Sequence, residues 1–179
     1  DFRNITIIPT VSLLQNKLNL SMNTGIQTNN LDETRGATTE RFVGSWNVAY
    51  NPSQQWNFNG SYSNFSTFTN MRPPNDPFFT DDMDTLNFYQ VNNTYSGTAS
   101  YNFGTDKIQN AIIFTASFQN ATEESAYQEN NTFSNFFTGN ISYSRSIIAT
   151  NTNMAGSFNY YSSQGSAFSS IFYGPSVSL

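Results

Sequence analysis

The stretch Thr94-Tyr95-Ser96-Gly97-Thr98-Ala99-Ser100-Tyr101-Asn102-Phe103 is built from two kinds of residue taken in turn. Tyr95, Gly97, Ala99, Tyr101 and Phe103 fall on one parity, and Thr94, Ser96, Thr98, Ser100 and Asn102 on the other. Side chains of a strand alternate between its two faces, so this pattern makes one apolar face and one neutral polar face. After Gly104-Thr105-Asp106-Lys107 it resumes: Ile112, Phe114, Ala116 and Phe118 oppose Ile113, Thr115, Ser117 and Gln119. Two alternating runs around a short polar turn read as a β-hairpin.

The same period extends outward through the 179 residues. Leu18, Leu20 and Met22 alternate with Asn19, Ser21 and Asn23, and Trp46 and Val48 with Asn47 and Ala49. Trp56, Phe58 and Tyr62 alternate with Asn57, Asn59 and Ser61. Ile141 and Tyr143 alternate with Asn140 and Ser142, and Met154 and Phe158 with Ser157 and Asn159. Nine strands follow, over 3–14, 18–31, 41–51, 56–70, 85–103, 110–123, 131–149, 154–164 and 168–179.

Charge is sparse, at 11% of residues against roughly 25% in an ordinary soluble domain. It is also absent from whole strands: none occurs at 42–71, 85–105, 108–122, 130–144 or 146–179. Soluble sheets place Lys and Glu on their water-facing side and edges, so this exclusion calls for a different solvent. There is no His and no Cys. That excludes zinc sites of the usual kind, His-based triads, thiol nucleophiles and disulfides, and no enzyme is expected. A pI near 4.4 argues against nucleic acid. Aromatic residues at 16% are too many for a disordered acidic coil.

The connections alternate in length. Short turns fall at 15–17, 51–55, 104–109 and 150–153. Longer loops fall near 32–40, 71–84, 123–130 and 164–167, and three of these four carry most of the acids. Outer-membrane barrels pair short periplasmic turns with longer extracellular loops in this way. No run of 18 apolar residues offers a membrane helix, but strands cross bilayers with a far weaker hydropathy signal. The expected fold is all-β: an antiparallel up-and-down transmembrane β-barrel of about eight to ten strands, or an arc of a larger one. Residues 1–179 form one β-barrel region, expected to be incomplete at both ends. The first strand starts on the loop side, the strand count is odd, and Pro9-Thr10-Val11-Ser12-Leu13 is echoed by Pro175-Ser176-Val177-Ser178-Leu179.

Strands such as Leu18-Asn19-Leu20-Ser21-Met22, Trp56-Asn57-Phe58-Asn59-Gly60-Ser61-Tyr62-Ser63 and Asn140-Ile141-Ser142-Tyr143-Ser144 resemble those of outer-membrane β-barrel proteins of Bacteroidota, which are similarly rich in Asn, Ser and Tyr. The resemblance implies a place in the bacterial outer membrane with the long acidic loops outside. Barrels of that phylum include transporters, secretion translocons and surface proteins.

Parity assigns the faces. Trp46, Val48, Phe58, Tyr101, Phe114, Ile141 and Phe158 are expected to face lipid. Asn47, Asn57, Ser61, Ser100, Ser117, Asn140 and Ser157 are expected to face the lumen. Tyr50, Trp56, Tyr101, Phe103 and Tyr143 read as a lower aromatic girdle, and Phe42, Tyr62, Phe65, Phe88 and Phe133 as an upper one. Arg145 shares the apolar parity; it either snorkels to headgroups or marks the strand's end. Gly44, Gly60, Gly97, Ala99, Gly139 and Gly156 on the apolar face weigh against the lipid reading. In the loop of three prolines, Asp81, Asp82 and Asp84 are the only candidates for Ca²⁺, but EF-hand spacing is lacking and a solvated acidic loop is favoured. Asp84-Thr85-Leu86 resembles a Bacteroidota O-glycosylation site at Thr85. No cofactor and no specific small molecule is expected. The expected partners are the lipid bilayer and further β-strands or another membrane protein. The functional expectation is a part or subunit of a transport or secretion pore. The alternatives are a non-transporting membrane-anchored scaffold with acidic outer loops, or a soluble extracellular β-sheet adhesin.

Overall fold

The computed structural model describes residues 2–29, 37–71, 86–125 and 131–178. They form ten strands: β1 (Phe2–Ile7), β2 (Thr10–Leu13), β3 (Leu18–Asn29), β4 (Ala37–Tyr50), β5 (Trp56–Met71), β6 (Leu86–Thr105), β7 (Ile108–Ser125), β8 (Thr132–Ile147), β9 (Thr152–Gly165) and β10 (Ser169–Ser178). A 3-10 turn at Ile148–Thr150 is the one helical element among the described residues. All ten strands lie in one sheet, and every pair is antiparallel between neighbours in the chain, with β1 and β2 both on β3. This is the expected up-and-down order. The sheet is open: β1/β2 form one edge and β10 the other.

Two expected strands differ from the observed ones. The first is interrupted at Ile8–Pro9, although β1 and β2 keep the same register on β3. The Met22 amide donates to the Pro9 carbonyl at 3.0 Å, so the ring nitrogen of Pro9 faces β3 with no N–H to return the bond. The strand expected over 131–149 stops at Ile147, where the chain enters the 3-10 turn and leaves it through Asn151 at φ 50°. The β6–β7 hairpin closes on Asp106-Lys107. Gly104 allows it with φ 141°, where a Cβ would collide with the Ile108 carbonyl.

Register runs unbroken, with no bulge from β3 to β10. One rung can be followed across the sheet: Leu13, Leu18, Tyr50, Phe58, Ala99, Phe114, Ile141, Phe158, Pro175. No polar side chain stands in it. The strands are staggered against this rung. The lower turn meets it at Leu18 on β3, but lies six residues below it on β8, at Ile147. The upper ends fall in the same sense, from Met71 on β5, thirteen residues above the rung, to Gly165 on β9, seven above. Six residues of rise, ~20 Å, over five strand spacings, ~24 Å, correspond to a tilt of ~40°. A closed barrel requires a tilt of roughly this size.

Candidate functional site: the two faces of the sheet

No hydrophobic side chain is buried among the described residues. Between its two edges pairing satisfies the backbone, and among the described residues no second layer covers either face. The apolar face is therefore left open, with Trp46 50%, Phe114 50% and Ile141 50% exposed. Trp46, Val48, Phe58, Tyr101, Phe114, Ile141 and Phe158 share that face by register. Asn47, Asn57, Ser61, Ser100, Ser117, Asn140 and Ser157 share the opposite one. Two hollows along the strands, of about 710 and 460 Å³, open on the polar face at Gln55, Asn102 and Ser144 and at Asn47, Asn59 and Ser61. The larger hollow is lined from Gln55 before β5 to Ser178 on β10, so the sheet curls toward its polar face, which is the concave side, with the apolar face convex.

Cross-strand hydrogen bonds tie the concave face together. Ser61 and Ser96 hydroxyls meet at 2.6 Å, Ser157 and Ser176 at 2.7 Å, and the Asn140 amide donates to Asn159 Oδ1 at 2.7 Å. The sequence reading gave this face no acid. In the structure Arg41 and Glu123 both stand on it, in the row Gln27, Arg41, Thr67, Gln90, Glu123 near the upper rim. Gln90 Nε2 donates to Glu123 Oε1 at 2.8 Å. Glu123 lies at the top of β7, where loop and strand composition merge, and continuing the parity of Ser117 and Gln119 would have placed it.

On the convex face the aromatic residues form two groups. Below, Trp56 stacks on Phe58 (5.4 Å) and meets Tyr101 (4.5 Å), and Tyr101 stacks on Phe103 (5.3 Å). Above, Trp46, Tyr62, Tyr95 and Phe118 meet in turn at 5.5, 4.8 and 6.2 Å, and Phe137 continues the row on β8. The upper row differs from the expected one. Phe65 and Phe88 lie on the concave face, while Phe42 and Phe133 stand on the convex face further up. Strand parity runs on without a slip, so Phe65 and Phe88 are aromatic residues on the polar parity, and composition near the loops misassigned them. Gly60, Gly97, Ala116 and Gly139 oppose one another in a single row between the two aromatic groups, and the Phe137 ring leans over Gly139. Of the small residues that weigh against the lipid reading, Gly60, Gly97 and Gly139 share this row, while Gly44, Ala99 and Gly156 stand in other rows of the apolar face.

Above the upper aromatic row the convex face carries a row of amides, Asn64, Asn93, Asn120, Asn135 across β5 to β8, and the row beyond it is mixed, with Phe42, Val91 and Phe133 beside Ser66 and Thr122. Asn64 Nδ2 and the Tyr62 hydroxyl both donate to Asn93 Oδ1, at 2.6 and 3.0 Å, and Asn120 Nδ2 donates to Asn135 Oδ1 at 2.6 Å. Near the lower turns the Tyr143 hydroxyl donates to Asn110 Oδ1 at 2.8 Å, and Arg145 pairs in register with Asn110. Arg145 sits within β8, two residues before its end, and its Nε has no hydrogen-bond partner. These outward asparagines share the parity of the apolar residues, and the sequence reading did not single them out.

Among the described residues no three acidic side chains stand together as a metal site. Asp81, Asp82, Asp84 and Thr85 lie outside the described residues. No family model, curated protein or solved structure matches the chain.

Proposed function

We propose that this chain is an arc of an outer-membrane β-barrel, its convex face against lipid and its concave face toward a lumen, serving as part of a transport or secretion pore. The observation that carries the reading is an entire apolar sheet face left exposed with no buried core. Soluble monomers rarely expose more than a few hundred Å² of contiguous apolar surface. Hydrocarbon accepts such a face provided the backbone is paired, as it is here through nine strand pairings. The net stagger from β3 to β8 and the polar concavity support closure as a barrel. The charge-free strands and the Asn, Ser and Tyr style support a Bacteroidota-type outer-membrane protein, with its acidic loops outside. The open edges at β1/β2 and β10 are completed by further strands or by another membrane protein. The reading assigns no catalytic residue and no cofactor.

Gel mobility tests it. Folded in detergent and run in SDS, the chain with its natural barrel partners migrates as a compact species that shifts on boiling. Identical mobility before and after boiling, with solubility in the absence of detergent, would favour the soluble adhesin. Conductance across a planar bilayer separates a pore from a membrane-anchored scaffold.

A further inference from the structure

The convex face of β7 and β8 is polar at two levels and free of amides and charges between them, and β6 shares the upper level through Asn93 and carries Phe103 at the lower. On β7 the levels are Asn110 and Asn120, with Ile112, Phe114, Ala116 and Phe118 between. On β8 they are Arg145 and Asn135, again ten residues apart. Asn93 on β6, Asn120 on β7 and Asn135 on β8 each stand twelve residues from the end of their strand at the lower turn, which is Thr105, Ile108 and Ile147 respectively. The three asparagines share one rung of the sheet, and in strands tilted by ~40° that rung climbs only ~6 Å over its two strand spacings, within the thickness of a headgroup layer. Ten residues tilted by ~40° rise ~26 Å along the barrel axis, and the outward apolar band of such barrels is about 25 Å tall.

We infer that these two polar rows fix the depth of the chain in the bilayer, with Asn93, Asn120 and Asn135 in the outer headgroup layer and Asn110 and Arg145 in the inner one. The inference rests on the membrane reading. A carboxamide has four hydrogen-bonding sites. Asn120 and Asn135 satisfy one each in their mutual bond, and the rest would go unpaired in hydrocarbon at a cost of several kcal/mol. At the headgroup level, lipid phosphate, glycerol or sugar oxygens and water meet them. Arg145 keeps its Nε covered, but its long stem carries terminal guanidinium nitrogens that reach headgroup phosphate from the lower row. On β6 to β8 the upper aromatic residues Tyr95, Phe118 and Phe137 then lie just beneath the outer boundary, where amphipathic rings settle, while the tilt of the rung carries Trp46 on β4 deeper.

The chain has no cysteine, so single cysteines are unique labelling sites. Nitroxides at positions 110, 112, 114, 116, 118, 120 and 122, in the assembled barrel within phosphatidylethanolamine/phosphatidylglycerol vesicles, report depth by relaxation with oxygen against a water-soluble nickel chelate. The expected profile peaks for oxygen near Ala116 and falls to headgroup values at both Asn110 and Asn120, with Thr122 more accessible still to the chelate. If the Asn120 label disturbs folding, Thr122 and Asn93 give the outer level instead. A maximum at or above Asn120 overturns the boundary assignment and leaves the membrane reading standing. Water-like values at all seven positions overturn both.

Discussion

At the scale of single residues, the face a side chain occupies decides what a substitution does. Phe114 and Ile141 are opposed in one rung of the convex face and both are half exposed. Arg at either should destabilise the folded chain in bilayers by about 2–4 kcal/mol, since the guanidinium would sit near the hydrocarbon midplane. Ser117→Arg, one row up on the concave face, should cost much less. Urea titration in lipid vesicles compares the three, and equal losses at Phe114 and Ser117 would contradict the assignment of faces. The tryptophans offer a second reading at this scale. Trp56 begins β5 directly at its lower turn, whereas Trp46 lies four residues above the lower end of β4. With one tryptophan removed at a time (Trp46→Phe or Trp56→Phe), lipids brominated deep in the acyl chain should quench Trp46 more than Trp56.

At the scale of elements, the turns and edge strands carry the local chemistry. Gly104 holds the β6–β7 hairpin, the longest pair in the sheet, at φ 141°. Gly104→Ala should open that turn, seen as loss of amide-exchange protection at 102–111 ahead of the rest of β6 and β7. The two prolines in strand sequence both belong to edge lines, but their nitrogens face opposite ways. Pro9 turns its nitrogen toward β3 and splits the strand. Pro175 pairs with Phe158, and the bond from the Gly165 amide to the Phe168 carbonyl, 2.7 Å, sets the alternation that turns the nitrogen of Pro175 away from β9. Pro9→Thr should therefore join β1 and β2 and raise protection at the amides of position 9, Ile7 and Val11, which face β3. Pro175→Thr should leave the β9–β10 pairing unchanged. Hydrogen exchange of both variants checks the contrast. This element-level detail was only partly legible beforehand. Strand positions and the short-long alternation of connections follow from period two and turn composition, which are local. The break at Pro9 depends on which side of the strand its partner lies, and that is a property of pairing.

At the scale of the whole molecule, the question is what covers the convex face. The aromatic groups, the Gly60–Gly97–Ala116–Gly139 row and the asparagine rows are ordered along the strands, as a layered solvent would require. A second protein layer would instead bury such a face at near-crystalline packing density. In SDS at room temperature the assembled barrel should keep its fold, and heating should release it; a chain that unfolds in SDS at once would argue for a soluble sheet with a missing layer.

The sequence by itself determined the antiparallel all-β class, the two chemically distinct faces and nearly all strand positions, because side-chain alternation is built into the pleat of each strand separately. It determined the direction of Phe114 and Ser117 for the same reason. The tertiary structure alone decided the stagger, the concave side, the open edges and the meetings across strands. Those include the Asn64–Asn93 and Asn120–Asn135 bonds, the meeting of Trp46, Tyr62, Tyr95 and Phe118 in one row, and the Gln90–Glu123 bond at the concave rim. Register is the cause: it is fixed between strands by pairing, and a shift of one residue moves every side chain to the other face. An asparagine that reads as one more polar residue in a chain rich in them therefore becomes one member of a row only when its neighbours in space are known.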